Sequence, residues 1–374
     1  MKIAIIEKGH FEVAYTLVSL FDTNINSITV FTNEETMHQL SYLLNGKLDR
    51  YTWVIQQRES NRNFIGSIFR HINDHQYDLI FFNTIADNFI HYAWHIQKLK
   101  REKVIMTLHD INGFFHYQPS TAIRRIVRYI GKRKLIRVIP WFNVLSETMI
   151  PHLRKKLPAS KVIFNLPGSL FYQENFIRKN YQDNEIIRVV IPGSVDIRRR
   201  NYWQVFDLLK LAKQRGIPVS ITLLGSLKEK NNGKLFSSIR QWIQSNNDLH
   251  IYEAAVVNQK EFDRVMNDCH FIWIPLQPTA VVTDGTIEEY GTSICSGNMG
   301  DIIRYARPFL APSFLQMDPA LAESCLRYKM TDDIMARLES LSSEIYDRLQ
   351  DLALKASLYY TSERIIANNL PLFR

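Results

Sequence analysis

Short apolar runs alternate along this chain with longer stretches whose apolar positions recur at helical spacing. In the first half the runs fall at Lys2–Ile6, Ser27–Phe31, Tyr51–Ile55, Asp78–Asn83, Lys103–Leu108, Trp141–Leu145 and Lys161–Phe164. Helix-period stretches lie between them, for instance His10–Phe21, Arg62–His75 and Asn88–Lys100. Continuous apolar runs of strand length separated by helices predict a parallel sheet covered on both faces.

The rhythm lapses between Asn165 and Glu185, a polar stretch holding Pro167-Gly168, and then resumes. Strands are expected at Ile187–Ile191, Val219–Leu224, His250–Tyr252, His270–Ile274 and Phe309–Ala311. Helices are expected at Tyr202–Arg215, Leu235–Ser245, Gln259–Asp268 and Gly297–Tyr305, and throughout from about Asp332 to Asn368. The fold class expected is α/β, two doubly wound Rossmann-like domains facing a cleft, with a helical C-terminus. Its parts are residues 1–168, a linker over 169–185, a second domain over 186–345, and a C-terminal helix over 346–374 able to pack back on the first domain. Open parallel sheets bind ligands beyond the carboxyl ends of their strands, so the loops there are the ones to search.

Composition narrows the class. Hydrophobic residues make up 46% and charged residues 22%, the balance of an ordinary soluble globular protein. No run reaches the roughly 18 apolar residues that a membrane span needs. The apolar start, Ile3–Ile6, is too short for a secretory leader and reads as a first strand. Three cysteines, Cys269, Cys295 and Cys325, fit free thiols in a reducing, cytoplasmic setting, and their spacing does not suit zinc. The net charge of +9 is unevenly spread: residues 1–185 carry 24 Lys and Arg against 16 Asp and Glu, the remainder 22 against 21. From Ile111 to Ser146 there is no acid and there are seven bases, Arg124, Arg125, Arg128, Lys132, Arg133, Lys134 and Arg137. Ile123, Ile126, Val127 and Ile130 follow helical spacing within that segment. Residues 124–137 are therefore either a domain helix with a solvated basic face or a helix resting on an anionic membrane surface, which would make the protein peripheral at the inner face. No nucleic-acid motif accompanies the charge, and nucleic acid is not expected as a partner.

Candidate chemistry clusters at strand ends. The segment Pro192-Gly193-Ser194-Val195-Asp196-Ile197-Arg198-Arg199-Arg200 follows a strand, where glycine admits close backbone approach and arginine forks bind phosphate oxygens. A helix opening at Ser296-Gly297 turns free N–H groups and a positive dipole end toward an anion, with Glu288 upstream to hold sugar hydroxyls. The loop Pro275–Gly285, with Thr283, Asp284 and Gly285, is long enough to be functional. In the first half, Gly9 and His10 follow the first strand with Glu12 near the same mouth, and His109-Asp110 ends another. A histidine there can act as a base or hold a sugar hydroxyl, or simply tie down the next loop.

The order of these motifs, from Pro192-Gly193-Ser194 through Leu224-Gly225 and Leu249–Glu253 to Glu288–Ser296, resembles the donor half of a GT-B glycosyltransferase, closest to the retaining family 4 group. The resemblance covers about residues 187 to 312 by motif and the first half by architecture alone. It implies that Glu288 and Gly291 belong to a Glu-x-Gly-aromatic-Gly type of turn, with Thr292 beside it, and that Ser296 stands where the family has a second, ribose-holding glutamate. It sets Ser194 at the family's phosphate-binding arginine and Arg199 at its lysine, with Arg198 or Arg200 able to compensate. It implies that the loop at Val256 and Val257 contacts the base. The activity implied is transfer of a sugar from a nucleotide-diphosphate sugar to a glycan or lipid-linked acceptor in polysaccharide or glycoconjugate assembly, with retention of configuration, no metal and no cofactor. Glu288, His109 and Arg199 are the catalytic candidates. Gly193, Ser194, Arg198, Val256, Val257, Thr283, Gly291, Thr292, Ser296 and Gly297 would line the donor site, and Gly9, His10, Glu12 and Asp110 the acceptor side. The departures at Ser194 and Ser296 leave two alternatives: a non-catalytic nucleotide-sugar or glycan-binding relative, and a sugar-nucleotide epimerase.

Overall fold

The computed structural model describes residues 1–99, 103–115, 122–227, 229–254, 256–282 and 285–374. The chain divides into two compact units. One comprises Met1–Ser169, Val282–Cys295 and Ser362–Arg374, the other Leu170–Val281 and Ser296–Thr361.

The first unit runs β1 (Lys2–Ile6), α1 (Phe11–Phe21), β2 (Ser27–Asn33), α2 (Glu34–Leu43), β3 (Thr52–Gln56), α3 (Asn61–His75), β4 (Leu79–Phe82), α4 (Phe89–Leu99), β5 (Val104–Thr107), α5 (Ile111–Phe115), α6 (Ala122–Val138), β6 (Trp141–Val144), α7 (Ile150–Arg154) and β7 (Val162–Asn165). Its seven strands pair in parallel in the order β3-β2-β1-β4-β5-β6-β7. Residues of β4 and β5 are buried on both faces, which is why those strands read as unbroken apolar runs. Phe64, Ile65, Ile68, Phe69 and Ile72 of α3 fill the space against Ile80 and Phe82.

The second unit contains β8 (Ile187–Pro192), α8 (Trp203–Arg215), β9 (Val219–Ser226), α9 (Glu229–Ser245, broken at Gly233), β10 (Leu249–Tyr252), α10 (Gln259–Asp268), β11 (Phe271–Trp273) and β12 (Thr279–Val281). The chain then gives β13 (Ile287–Glu289) to the first unit and returns with α11 (Asn298–Tyr305), β14 (Phe309–Pro312), α12 (Pro319–Ala322), β15 (Cys325–Tyr328), α13 (Thr331–Glu339) and α14 (Ser343–Ser357). Six parallel strands take the order β10-β9-β8-β11-β14-β15.

The C-terminal region is not one helix. It breaks after Ser357 and resumes as α15 (Ser362–Asn368), which belongs to the first unit. There Phe373 stacks on Phe21 at 4.7 Å and Asn369 donates to the carbonyl of Asn165. Strand β15 was not expected: it is only four residues long and Arg327 interrupts its apolar pattern, exposed at the sheet edge.

Candidate functional site

In each sheet the strand order reverses direction at one point, the place where open parallel sheets bind ligands, beyond the carboxyl ends of the two flanking strands. In the second unit these strands are β8 and β11. Gly193, just past β8, has φ +91, a conformation that costs glycine nothing. Beside it, a Cβ at Gly225 of β9 would lie 2.2 Å from the Gly193 carbonyl oxygen, so the two strand ends meet at backbone contact.

The three arginines after this turn have separate duties. Arg198 is exposed and forks onto the Asp196 carboxylate at 2.9 and 2.6 Å. Hydrogen bonding from Arg198, aided by its charge, holds Asp196 below the usual carboxylate range. Arg200 turns inward and donates to the carbonyl of Ser194 (3.2 Å), the hydroxyl of Tyr202 (3.1 Å) and the side-chain oxygen of Asn298 (2.7 Å). Arg199 has its backbone fixed, its carbonyl accepting from the Gln277 N–H at 2.9 Å, while its guanidinium is exposed and makes no hydrogen bond or ion pair among the described residues, acting on Asp196 only through its charge. A chelated cation, a structural clamp and an uncommitted cation thus stand side by side.

The clamp reaches the start of α11. Asn298 is buried, and its Nδ2 donates to the Pro192 carbonyl at 2.8 Å while its Oδ1 accepts from Arg200 and, at 3.3 Å, from the Ser296 hydroxyl. The Met299 and Gly300 N–H groups bond back to the carbonyls of Ser296 and Gly297. The Gly297 and Asn298 N–H groups remain at the helix mouth without partners among the described residues, the donors an anion would take. The structure therefore brings Gly193, Ser194, Arg199, Ser296 and Gly297 into one unit and joins them through Arg200 and Asn298. Arg200 was expected as a stand-in phosphate ligand and is instead bonded to Ser194, Tyr202 and Asn298; Asn298 was not among the expected donor-site residues. Val256 is exposed and Val257 half-buried on the loop after β10, in the same unit. Thr283 lies outside the described residues.

Glu288, Gly291 and Thr292 belong to the other unit. The strap Val282–Cys295 lies across the N-terminus of α5. Ile111 N donates to the Ser293 carbonyl (2.8 Å), and the Asn112 side chain donates to the Ile287 carbonyl (3.1 Å) and to Ser293 Oγ (3.2 Å). Glu288 is fully buried, its two oxygens accepting the Asn112 and Gly113 N–H groups. The role expected for it, orienting sugar hydroxyls, needs a carboxylate with free oxygens; here both are committed to capping α5. Burial raises its pKa to about 7, with the Asp110 carboxylate adding to the rise and the bonds from Ser293, Gly113 and Asn112 opposing it. Burial likewise raises that of Asp110, against the pull of Lys132. Gly291, at φ +80, makes the turn that returns the strap.

In the first unit the reversal lies between β1 and β4. Glu7, one residue beyond β1 and fully buried, is the hub. One oxygen accepts three consecutive N–H groups, from Lys8 (2.7 Å), Gly9 (2.6 Å) and His10 (3.0 Å). The other accepts from the Asn83 amide and from the Thr84 hydroxyl at 2.7 Å. Burial alone would raise its pKa, but the charge and N–H of His10 and the nearby His109 outweigh burial and lower it. A turn whose N–H groups are filled by its own carboxylate has none to offer a phosphate.

His10 stacks on His109 at 4.1 Å. His109 Nε2 lies 2.9 Å from the Asn83 carbonyl and 3.2 Å from the Thr84 hydroxyl, both acting as acceptors there, so Nε2 carries the proton and Nδ1 is the basic nitrogen. Burial, followed by the neighbouring His10, pushes the pKa of His109 down to about 4, and the ring is neutral at physiological pH. Gly9 and His10 are exposed at this mouth, as is Glu12 in the first turn of α1, while Asp110 sits one residue on, bridged to Ile294 of the strap. Sequence reasoning missed Glu7. Its signal is an acid ending the apolar run Ile3–Ile6 directly before Lys8-Gly9, where burial of a lone carboxylate demands donors.

No family model and no curated protein matches this sequence. Solved structures do match over its length. A glycosyltransferase from Rickettsia africae superposes with a TM-score of 0.63 at 10% identity, covering 100% of this chain and 97% of that one. Sucrose-phosphate synthase from Thermosynechococcus elongatus gives 0.64 at 12% identity, covering 100% and 98%. UDP-GlcNAc 2-epimerase from Neisseria meningitidis, bound to UDP-GlcNAc, gives 0.59 at 13% identity, covering 99% and 100%. At such identities the likeness is one of architecture: the chain has the GT-B fold of two parallel-sheet α/β domains, shared by glycosyltransferases and by UDP-GlcNAc 2-epimerases.

Proposed function

We propose that this protein is a glycosyltransferase that takes a sugar from a nucleotide-diphosphate sugar, holds the diphosphate in the second unit, and passes the sugar to a glycan or lipid-linked acceptor. The observation that carries this reading is Arg199: an exposed, uncommitted guanidinium on a loop that Arg200 and Asn298 lock to an open helix mouth. Breaking the anomeric C–O bond leaves negative charge on the departing diphosphate. Arg199 and the N–H groups of Gly297 and Asn298 stabilise that charge from fixed positions, without reorganising during the reaction. The new bond forms from an acceptor hydroxyl oxygen to the anomeric carbon, and the hydroxyl proton leaves with the diphosphate. In the retaining chemistry of the resembled group no protein base is required. Ser296 holds ribose as a neutral hydrogen-bonding group, more weakly than a carboxylate would. His10 and His109, in the first unit, serve the acceptor.

The test is incubation with uridine, guanosine and thymidine diphosphate sugars, following release of the nucleoside diphosphate. Slow donor hydrolysis that is lost in Arg199→Ala supports the reading. Tight binding with no turnover under any acceptor supports the non-catalytic alternative. A second reading, a sugar-nucleotide epimerase, draws on a separate observation: the neutral imidazole of His109, stacked on His10, is a group suited to moving protons. Formation of a stereoisomeric sugar nucleotide with no acceptor present would select it.

A further inference from the structure

Helix α6 carries an apolar stripe on the wrong side for a domain helix. It is seated on α4 through its second half, where Gly131, Lys132 and Leu135 are buried. A Cβ at Gly131 would stand 2.7 Å from the Ile90 nitrogen and the Phe89 Cβ, so the two helices touch at backbone distance there. Lys132 points inward, its Nζ donating to the Gly113 carbonyl at 2.6 Å and lying 5.1 Å from the ring of Phe89. Ile123, Ile126, Val127 and Ile130 share one helix face, and that face is solvent-exposed, from 78% at Ile123 to 41% at Ile130. At about 100° per residue the stripe points roughly a third of a turn away from the buried residues. Tyr129, also exposed, borders it.

Further along, the same face changes character. At helical spacing Arg133, Lys134 and Arg137 continue the line of the stripe, and all three are exposed. Arg133 lies over the ring of Tyr129 at 4.8 Å. One face of α6 is thus apolar for its first two turns and basic beyond, with no acid anywhere between Ile111 and Ser146.

We propose that this face of α6 is a docking surface for an anionic lipid bilayer. Ile123, Ile126, Val127 and Ile130 enter the boundary between headgroups and acyl chains, Tyr129 sits at the headgroup level, and Arg133, Lys134 and Arg137 lie against lipid phosphates. The helix lies in the interface plane: its 17 residues carry too many charges to span, and no helix among the described residues is long and apolar enough to cross a membrane. Charge complementarity selects the lipid. A second copy of the chain would bring basic face against basic face, and nucleic acid would leave the apolar stripe in water. The inference rests on α6 alone and does not require the donor-site reading.

The test is flotation of the full-length protein with vesicles of phosphatidylcholine, or of phosphatidylcholine mixed with phosphatidylglycerol. The wild type is expected to float with the mixed vesicles and not with phosphatidylcholine alone. The triple variant Ile123→Ser, Ile126→Ser, Ile130→Ser is expected to lose binding on the order of a hundredfold. Arg133→Gln, Lys134→Gln, Arg137→Gln should lose a similar factor on mixed vesicles, from about tenfold or less per charge. Because all six positions are exposed, both variants should keep the wild-type circular dichroism and unfolding midpoint. Equal binding to both vesicle types, or undiminished binding by the isoleucine variant, overturns the proposal. So does a wild type that binds single-stranded RNA but no vesicles, or a dimer that the isoleucine variant abolishes while vesicle binding is absent.

Discussion

Arg200 and Asn298 form one joint: the guanidinium donates to the amide oxygen at 2.7 Å, while the amide nitrogen donates to the Pro192 carbonyl at 2.8 Å. Through it the loop after β8 and the mouth of α11 hold each other in place. Arg200→Ala removes the donor and leaves the buried Asn298 oxygen short of its charged partner. Urea unfolding should show a loss of about 2 kcal/mol, as for a hydrogen bond to a charged group. An unchanged midpoint would mean the joint is incidental.

The approach of Gly225 to Gly193 makes a sharper demand. Since a Cβ at Gly225 would lie 2.2 Å from a backbone oxygen, Gly225→Ala cannot be relieved by turning a side chain. The strand ends must separate, at about 3 kcal/mol or more. Nucleotide binding should weaken with stability. Gly216→Ala, whose Cβ would meet nothing within 4 Å but whose φ is +69, gives a comparison in which only backbone strain acts. Its stability should fall by less, with nucleotide affinity unchanged.

Glu288 makes the strap sensitive to pH. Its folded pKa, about 7, lies above the ordinary 4.5. The folded state therefore binds the proton more tightly than the unfolded chain. The associated stability is complete below about pH 4.5 and is lost as pH rises through 7, at a cost of about 3 kcal/mol. Unfolding measured from pH 5 to pH 8 should show this decline in the wild type. Glu288→Gln should flatten it, whatever its effect on absolute stability. A variant that follows the wild-type slope would remove Glu288 as the source.

His109 behaves in the opposite sense. With its pKa held down to about 4, the folded state resists protonation, and this contribution to stability is lost as pH falls from about 6.5 toward 4. Nitrogen-detected NMR should find a neutral ring protonated at Nε2 at pH 5.5. Thr84→Val removes one acceptor of that proton but leaves the Asn83 carbonyl, and should preserve the tautomer. A charged imidazolium at that pH would contradict the assignment.

How much of this could be read from the chain follows from what each feature depends on. The buried strands were legible because parallel sheets covered on both faces require continuous apolar runs, as at Leu79–Phe82. Their boundaries moved by a residue or so. The turn at Gly193 and the helix start at Gly297 were legible in position, the first as a glycine closing an apolar run and the second as a glycine opening a helix-period stretch. The division of labour among Arg198, Arg199 and Arg200 was not, since it is set by Asp196 and by Asn298, almost a hundred residues downstream. Glu288 misled for a related reason. A glutamate before a glycine turn reads as a ligand-holding acid, and only the packing of its segment against α5 shows both oxygens already occupied. The apolar stripe of α6 had the spacing of a core face. Its exposure became visible only once Gly131 fixed which side meets α4.

The most direct test of the central claim is calorimetric titration of uridine, guanosine and thymidine diphosphates into the wild type, Arg198→Ala and Arg199→Ala. Arg199 is exposed and bonded to nothing else among the described residues, so its removal should leave stability within about 0.5 kcal/mol. One of the three nucleotides should bind the wild type, at least about tenfold more weakly to Arg199→Ala, and nearly as tightly to Arg198→Ala, whose arginine serves Asp196. Equal affinity of the wild type and Arg199→Ala for the nucleotide that binds would contradict the account.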